Sequence, residues 1–150
     1  MSSDTYHTAA SPLRRAAQIV GATFVLVGLM GFIPGITTNF GDLGFAGHES
    51  EAKLLGLFQV SVLHNVVHLL YGVAGLAMSK TASGARTYLV GGGAVYLVLW
   101  IYGLVIDKES SANFVPLNTA DDWLHLFLGV AMIGLGLALS RTKARATSAY

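Results

Sequence analysis

Four long apolar segments constrain the fold more than any other feature of this sequence. They carry no charged residue and cover Ala16–Ile33, Leu54–Met78, Thr87–Ile106 and Trp123–Leu139. About 20 apolar residues span the roughly 30 Å of bilayer hydrocarbon as a helix. In lipid, only helices and closed barrels satisfy their own backbone hydrogen bonds, and the alternating ten-residue segments of a barrel are absent. The sequence therefore predicts an all-α, four-transmembrane-helix bundle, with spans at about 16–34, 54–78, 87–106 and 122–140.

The composition agrees with a chain built for lipid. Only 11% of the 150 residues are charged, against roughly 25% in soluble domains. The formal net charge of +1 offers no basic face for phosphates, which excludes a nucleic-acid partner. Cysteine is absent, so disulfides, thiolate metal sites and thiol nucleophiles are excluded.

The positions of lysine and arginine predict the orientation. Seven basic residues flank the termini and the second connection: Arg14, Arg15, Lys80, Arg86, Arg141, Lys143 and Arg145. The other two connections hold only Lys53 and Lys108. Because basic loops stay in the cytoplasm, both termini are predicted to be cytoplasmic. Residues 1–13 and 142–150 are then expected to be flexible cytoplasmic tails around a transmembrane domain at 14–141.

The second and fourth apolar segments resemble each other. The stretch from His68 to Ala74 matches the stretch from His125 to Ala131 at five of seven positions. Both segments run in the same direction, so the pattern predicts two parallel-repeat helical hairpins related by an axis along the membrane normal. Chance similarity between two Leu/Gly/Ala-rich helices is the alternative.

Histidines inside the apolar segments are the candidate functional residues. His64 and His68 are four apart and share one helical face, and His125 lies on a stripe with Asp121 in the fourth segment. Ionisable groups within a span usually face the bundle interior. The simplest interpretation is structural: neutral histidines hydrogen-bond across helices to Asn65, Tyr71 or Asp122. Ser61, Asn65 and Tyr71 would then form a structural polar core.

Two functional interpretations stay open beside the structural one. Imidazole is a common ligand of haem iron and of divalent metals, so His68 and His125 could be the axial ligands of haem b. A mixed metal site would instead use His64, His68, His125, Asp121 and Asp122. A proton or quinone-linked relay is the third interpretation, since histidine changes charge near neutral pH.

Motifs of soluble enzymes are absent. A metalloprotease helix would carry glutamate next to His64, and this position is Asn65. No nucleophile elbow, phosphate loop or dinucleotide fingerprint occurs, so the sequence predicts no catalytic residues. In the last outer connection, Asn118 or Thr119 is expected to cap the fourth helix, and the apolar stretch 114–117 is expected to enter the interface or cover the mouth of the bundle.

Two stretches resemble a known bacterial membrane family. They are the segment from Leu63 to Gly75 and the segment from Ala112 to His125, and they resemble the family catalogued as domain of unknown function 4383 (DUF4383). The similarity extends over about residues 14–140. The resemblance implies a small four-helix protein of the bacterial plasma membrane without an assigned activity, and it supplies no catalytic residues.

Together these observations predict a non-enzymatic integral membrane protein. We expect it to be either self-assembling or an accessory subunit of a larger membrane complex, with the lipid bilayer as its surroundings. A haem- or metal-binding membrane redox protein is the first alternative. A cation or proton pathway along the histidine stripe is the second.

Overall fold

The computed structural model describes residues 10–147 of the chain and the side chains of residues 10–141. This part of the chain forms four α-helices: α1 (Pro12–Met30), α2 (Val62–Met78), α3 (Ala82–Val105) and α4 (Thr119–Thr147). Three two-residue strands lie between α1 and α2: β1 (Thr37–Thr38), β2 (Lys53–Leu54) and β3 (Phe58–Gln59). They pair antiparallel in the order β1-β2-β3. The predicted all-α class with four helices is confirmed.

Every helix begins at a side chain that satisfies a free backbone N–H group. The capping residues are Ser11, Ser61, Thr81 and Asn118. In each case the side-chain oxygen accepts a hydrogen bond from the N–H three residues further on, as N-caps do. Asn118 was one of the two residues predicted to cap the fourth helix. Short polar residues therefore set where each apolar helix starts.

Close approach of helix backbones holds the bundle together in two pairs, α1 with α2 and α3 with α4. A methyl group added at Gly72 would lie 2.6 Å from the carbonyl oxygen of Gly21. A methyl group added at Gly93 would lie 2.8 Å from the carbonyl oxygen of Gly129. Neither position has room for a side chain, so glycine allows each pair of helices to touch.

Of the helices in residues 10–147, three are long and apolar enough to cross a membrane. They are α1 with 19 residues, α3 with 24 and the 23-residue segment Thr119–Arg141 of α4. The apolar helix α2 is shorter, at 17 residues. Exposed apolar side chains cover the outward face of all four helices, including Ile19, Leu70, Val98 and Phe127. Such faces are expected where lipid replaces water.

The second helix begins eight residues later than the apolar segment predicted, at Val62 rather than Leu54. Leu55 and Gly56 have φ angles of 54° and 71°, in the left-handed region, and form the turn between β2 and β3. Leu54 and Val60 are buried in a small apolar cluster of this sheet. The apolar residues Leu54 and Val60 therefore pack inside a folded loop and are not part of helix α2.

The other helix ends also differ from the predicted spans. Helix α1 stops at Met30 and not at residue 34, because Pro34 disfavours a helical conformation just before it. Helix α3 starts at Ala82, five residues before the predicted Thr87, because Thr81 caps it. Helix α4 continues through Thr147, so residues 142–147 of the predicted flexible tail are helical; they are rich in Ala, Lys and Arg, which favour helices. Residues 1–9 and 148–150 of the predicted tails lie outside the described residues.

The bundle has two ends, which differ in their interior. We call the end that carries residues 31–61 and 106–118 the loop end, and the end that carries the start of α1 and residues 79–81 the terminal end. Buried apolar side chains fill the interior near the terminal end: Leu13, Ala17, Ala85 and Leu89. Arg14 donates from Nε to the carbonyl oxygen of Ser79, 2.9 Å away, and so ties the start of α1 to the end of α2.

We expect Gly93→Ala to destabilise the protein by about 1–3 kcal/mol, because the added methyl group meets helix backbone that cannot move aside. Gly91→Ala is the matched control on the same helix, since a methyl group there meets nothing within 4 Å. It should be neutral or stabilising by up to about 1 kcal/mol, because alanine favours helix. Thermal unfolding in detergent, followed by tryptophan fluorescence, measures both. Equal melting temperatures for the two variants would contradict the packing described above.

Candidate functional site

Three histidines from two helices meet in the interior near the loop end. Helix α2 supplies His64 and His68, and α4 supplies His125; each is no more than 8% exposed. The ring centroids of His64 and His68 are 4.2 Å apart, with the rings edge to face. All three side chains line the same two cavities. We call them the histidine cluster; the structure brings together the three histidines that the sequence singled out.

The hydrogen bonds of His68 define which of its ring nitrogens carries a proton. Nδ1 lies 2.8 Å from the carbonyl oxygen of His64, and because a carbonyl can only accept, Nδ1 donates. In the neutral ring Nε2 is then an acceptor, and the hydroxyl of Tyr96 donates to it over 3.4 Å. The expected bonds from the histidines to Asn65, Tyr71 or Asp122 are not among those that the described residues form. Tyr96 is instead the side chain that hydrogen-bonds to His68.

A row of tyrosines continues inward from the histidine cluster. The ring of Tyr96 lies 5.1 Å from that of His125 and 5.5 Å from that of Tyr71, centroid to centroid. Tyr71 in turn lies 5.3 Å from Tyr88. The hydroxyls of Tyr71 and Tyr88 have no hydrogen-bond partner within residues 10–141. The row ends at the apolar core of the terminal end, where Tyr88 packs with Leu89.

Glycines of the neighbouring helices make room for these rings. The phenol of Tyr71 lies against Gly92, and the phenol of Tyr88 lies against Gly75. A side chain at either glycine would overlap the tyrosine. Glycine thus serves two purposes in this bundle, because it allows helix backbones to touch and it accommodates large polar rings between helices.

Two cavities border the histidine cluster, and all three histidines line both of them. The loop-sheet cavity has a volume of about 190 Å³ and is bounded by α1, α2, α4 and the turn between β2 and β3. The aromatic cavity has a volume of about 130 Å³ and is bounded by α2, α3, α4 and the last loop. Beside the histidines, its lining consists of Val67, Tyr96, Leu99, Tyr102, Phe114, Val115 and Leu117.

Asn113 shapes the loop that covers the aromatic cavity. Its side-chain amide donates to the carbonyl oxygens of Lys108 and Leu117, over 3.0 and 3.1 Å, and its Oδ1 accepts from the backbone N–H of Leu117 over 2.9 Å. Asn113 is 1% exposed and Leu117 is 3% exposed. The hydroxyl of Tyr102 also donates to the carbonyl oxygen of Ala112. These bonds hold the stretch 114–117 over the mouth of the bundle, one of the two placements expected from its apolar sequence.

Asp121 lines the loop-sheet cavity, but its carboxylate is occupied by backbone groups. Oδ2 accepts from the N–H groups of Asn118, 2.9 Å away, and Gln59, 3.2 Å away. Asn118 also donates from Nδ2 to the carbonyl oxygen of Leu57 over 2.8 Å. Together with the cap from Asn118 to Asp121, these bonds dock the start of α4 on the loop sheet. The role of Asp121 is therefore accounted for by the fold.

Asp122 points away from the histidines, towards α3. Its Oδ2 lies 2.6 Å from Nζ of Lys108, which also donates to the carbonyl oxygen of Gly103 over 2.8 Å. The Asp122 side chain is 5% exposed and the Lys108 side chain 29% exposed. Asp122 is not among the residues that line either cavity. The structure thus separates it from the other residues of the predicted metal site.

The predicted structural polar core is spread over two places. Ser61 is fully buried and caps α2 through its bond to the N–H of His64, 3.1 Å away. Asn65 is 1% exposed and its amide lies against Gly31, at the end of α1. Its Nδ2 has no partner in the described part of the chain. Tyr71 belongs to the tyrosine row instead.

The geometry of the histidine cluster bears on the predicted haem and metal sites. Among the side chains of residues 10–141, no group of three His, Asp or Glu residues could hold a metal ion. The two cavities, of about 130 and 190 Å³, are smaller than the roughly 300–1,000 Å³ of sites that bind drug-sized ligands. The side chain of Tyr96 also contacts both His68 and His125. No cavity of haem size lies between these two histidines in the described part of the chain, and haem or metal ligation stays a prediction.

Sequence reasoning missed Tyr96, Lys108 and Asn113. Tyr96 had a usable signal: tyrosines usually lie at the membrane interface, and this one falls near the middle of an apolar segment, eight residues after Tyr88. Lys108 also had one, as a basic residue in a connection otherwise poor in them. Asn113 had none, because its three bonds depend on how the loop folds back on itself.

An all-helical bundle with three helices able to cross a membrane, apolar outer faces and a polar interior defines a protein of the membrane class. The chain belongs to the family described as domain of unknown function DUF4383, whose sequence profile matches residues 14–138. This confirms the resemblance seen in the sequence. No curated protein and no solved structure is detectably similar to the chain.

We expect Lys108→Met to destabilise the protein by about 1–3 kcal/mol, because it leaves the carboxylate of Asp122 buried without its partner. Lys53→Met is the matched control: Lys53 is exposed, and its ammonium makes no ion pair with any described residue. Thermal unfolding in one detergent compares the two. Adding Asp122→Leu to Lys108→Met should recover part of the loss. Equal stability of both lysine variants would show that the pair does not matter.

Proposed function

We propose that the chain crosses the bacterial plasma membrane four times, with both termini in the cytoplasm. Helix α2, with 17 residues, is at the lower limit of a spanning length. It is joined to α3 by the short turn 79–81, so the two helices run in opposite directions. Arg14, Lys80, Arg86 and Arg141 all belong to the terminal end, which supports placing that end in the cytoplasm.

Reporter fusions test this orientation. Green fluorescent protein joined after Tyr150 should fluoresce, because it folds in the cytoplasm, and alkaline phosphatase joined there should be inactive. Alkaline phosphatase joined after Ser111, at the loop end, should be active. The reverse pattern would place the termini outside and overturn the assignment.

Within the membrane, the protein works by binding, as a non-enzymatic component. The observation that supports this proposal is the asymmetry of its interior. The cavities and the histidine cluster lie near the loop end, whereas Leu13, Ala17, Ala85 and Leu89 fill the terminal end. An interior that holds cavities near one end and is filled with apolar side chains at the other suits a binding site better than a passage.

Association in the plane of the membrane fits the same shape. The outward faces are apolar and the connection at the terminal end is short, so α-helical neighbours can pack against them. These features support either self-assembly or a role as an accessory subunit of a larger membrane complex. Native mass spectrometry after mild extraction distinguishes the two roles. Self-assembly would give several copies of this chain alone, and an accessory subunit would give a complex of defined composition with other chains.

A duplicated hairpin is also part of the proposal. Gly72 and Gly129 occupy matching positions of the two similar segments, and each contacts a glycine of the helix before it, Gly21 or Gly93. The two hairpins therefore use the same kind of contact at matching positions. The shared position of Gly72 and Gly129 supports an origin by repetition.

Proton flux distinguishes binding from the pathway alternative. We expect liposomes that contain the protein and a pH-sensitive dye to take up protons no faster than protein-free liposomes under a membrane potential, because the terminal end is filled with apolar side chains. Faster uptake that His68→Ala abolishes would contradict the proposal and favour a proton pathway along the tyrosine row.

A further inference from the structure

We propose that the aromatic cavity binds the ring of a membrane-soluble quinone. The inference rests on the proposed function as a binding protein and names the ligand class. Three features of the cavity support it: its size, the chemistry of its lining and its opening towards lipid.

The size of the aromatic cavity suits a single six-membered ring whose substituents extend into the opening. Its volume of about 130 Å³ is close to the roughly 150 Å³ of an engineered apolar cavity that holds benzene in another protein. A macrocycle is too large. Phe114 of the last loop and Tyr96 of α3 supply aromatic surfaces that can pack against a flat ligand.

The lining offers hydrogen-bond donors but no charge. The aromatic cavity has no carboxylate or ammonium group among its lining residues, so a charged ligand would find no counter-ion. No hydrogen bond joins the ring of His64 or of His125 to another described residue, and both side chains are at least nine-tenths buried. Nδ1 of each ring is sealed from the cavity, so a ligand would meet Nε2, which carries the N–H in one of the two neutral tautomers. A quinone carbonyl only accepts hydrogen bonds, so it complements an imidazole N–H. The ligand class is therefore a neutral ring with carbonyl oxygens.

Exposed lining residues place the opening of the cavity on the outer surface of the bundle, which lipid covers in the arrangement we propose. Val67 of α2 lines the cavity and is 43% exposed on the outer surface of the helix. Towards the loop end the cavity is covered by Leu117, which Asn113 holds in place. A ligand therefore reaches the site from lipid, between α2 and α3. Quinones with an apolar tail dissolve in that phase, and the tail can remain there while the ring binds.

The loop-sheet cavity is the weaker candidate for such a ligand. It is larger, at about 190 Å³, but Asp121 lies in its wall. Oδ2 of Asp121 already accepts hydrogen bonds from two backbone N–H groups, so this wall adds an acceptor oxygen where the carbonyl oxygens of a quinone would need donors. Both cavities share the three histidines, so the choice between them depends on the additional acceptor that Asp121 places in the loop-sheet cavity.

Binding can be measured as thermal stabilisation of the full-length protein in detergent by decylubiquinone. Decylbenzene is the matched probe, with a ring and the same tail but without carbonyl oxygens. We expect the quinone to raise the melting temperature by about 5 °C at saturation, and decylbenzene to raise it much less. Size-exclusion chromatography after heating gives the melting temperature without interference from quinone absorbance.

Two pairs of variants test where the quinone binds. Val67→Trp fills the cavity and should abolish the shift, whereas Val73→Trp, on the lipid-facing side of the same helix, should keep it. His125→Phe keeps a ring but removes the donor and should weaken binding at least tenfold, whereas His48→Phe, outside both cavities, should not.

The outcomes are distinct. Equal shifts with both probes, or a shift that survives Val67→Trp, would overturn the quinone site. If His125→Phe does not fold, the comparison of Val67→Trp with Val73→Trp decides alone. Absence of quinone binding together with absence of proton flux would remove this inference and leave the proposed binding function standing, whereas rapid proton flux would count against the proposed function itself.

Discussion

Lipid removes most of the hydrophobic force that holds helices together in water, so this bundle depends on the close contact of helix backbones. The contacts of Gly21 with Gly72 and of Gly93 with Gly129 provide it, one in each pair of helices. Van der Waals attraction between atoms acts over short distances only, and a single methyl group at such a point separates the helices.

The same close packing explains how polar side chains are accommodated. Tyr71 lies against Gly92 and Tyr88 against Gly75, so a large ring on one helix occupies the space that a glycine leaves on the next. Each of the two buried hydroxyls lies against a glycine, which has no side chain that could serve as its hydrogen-bond partner. This accounts for polar atoms without partners in the row, and it makes the interior a place where a ligand's polar groups gain bonds that the protein alone does not provide.

The two ends of the bundle differ in how their interiors are filled, and the proposed binding function rests on this difference. Apolar residues such as Leu89 seal the terminal end, while folded loops cover the loop end and leave cavities beneath them. The side chains that cap helices, Asn118 and Asp121, also attach the loops to the bundle. Histidines placed under such a cover are shielded from water yet remain close to lipid. That combination suits recognition of an apolar molecule with a few polar atoms.

The sequence by itself determined the class, the number of helices and the interior position of the three histidines, because uncharged segments and their polar exceptions are local properties of the chain. It could not show that residues 54–60 form a loop sheet: an apolar segment looks the same whether lipid or a folded loop buries it. Nor could it pair His68 with Tyr96, or Lys108 with Asp122, since each bond joins residues at least 14 positions apart. Only the tertiary structure determines those partners. The glycine contacts between helices fix how far each helix is shifted and rotated against its neighbour, and so which side chains meet.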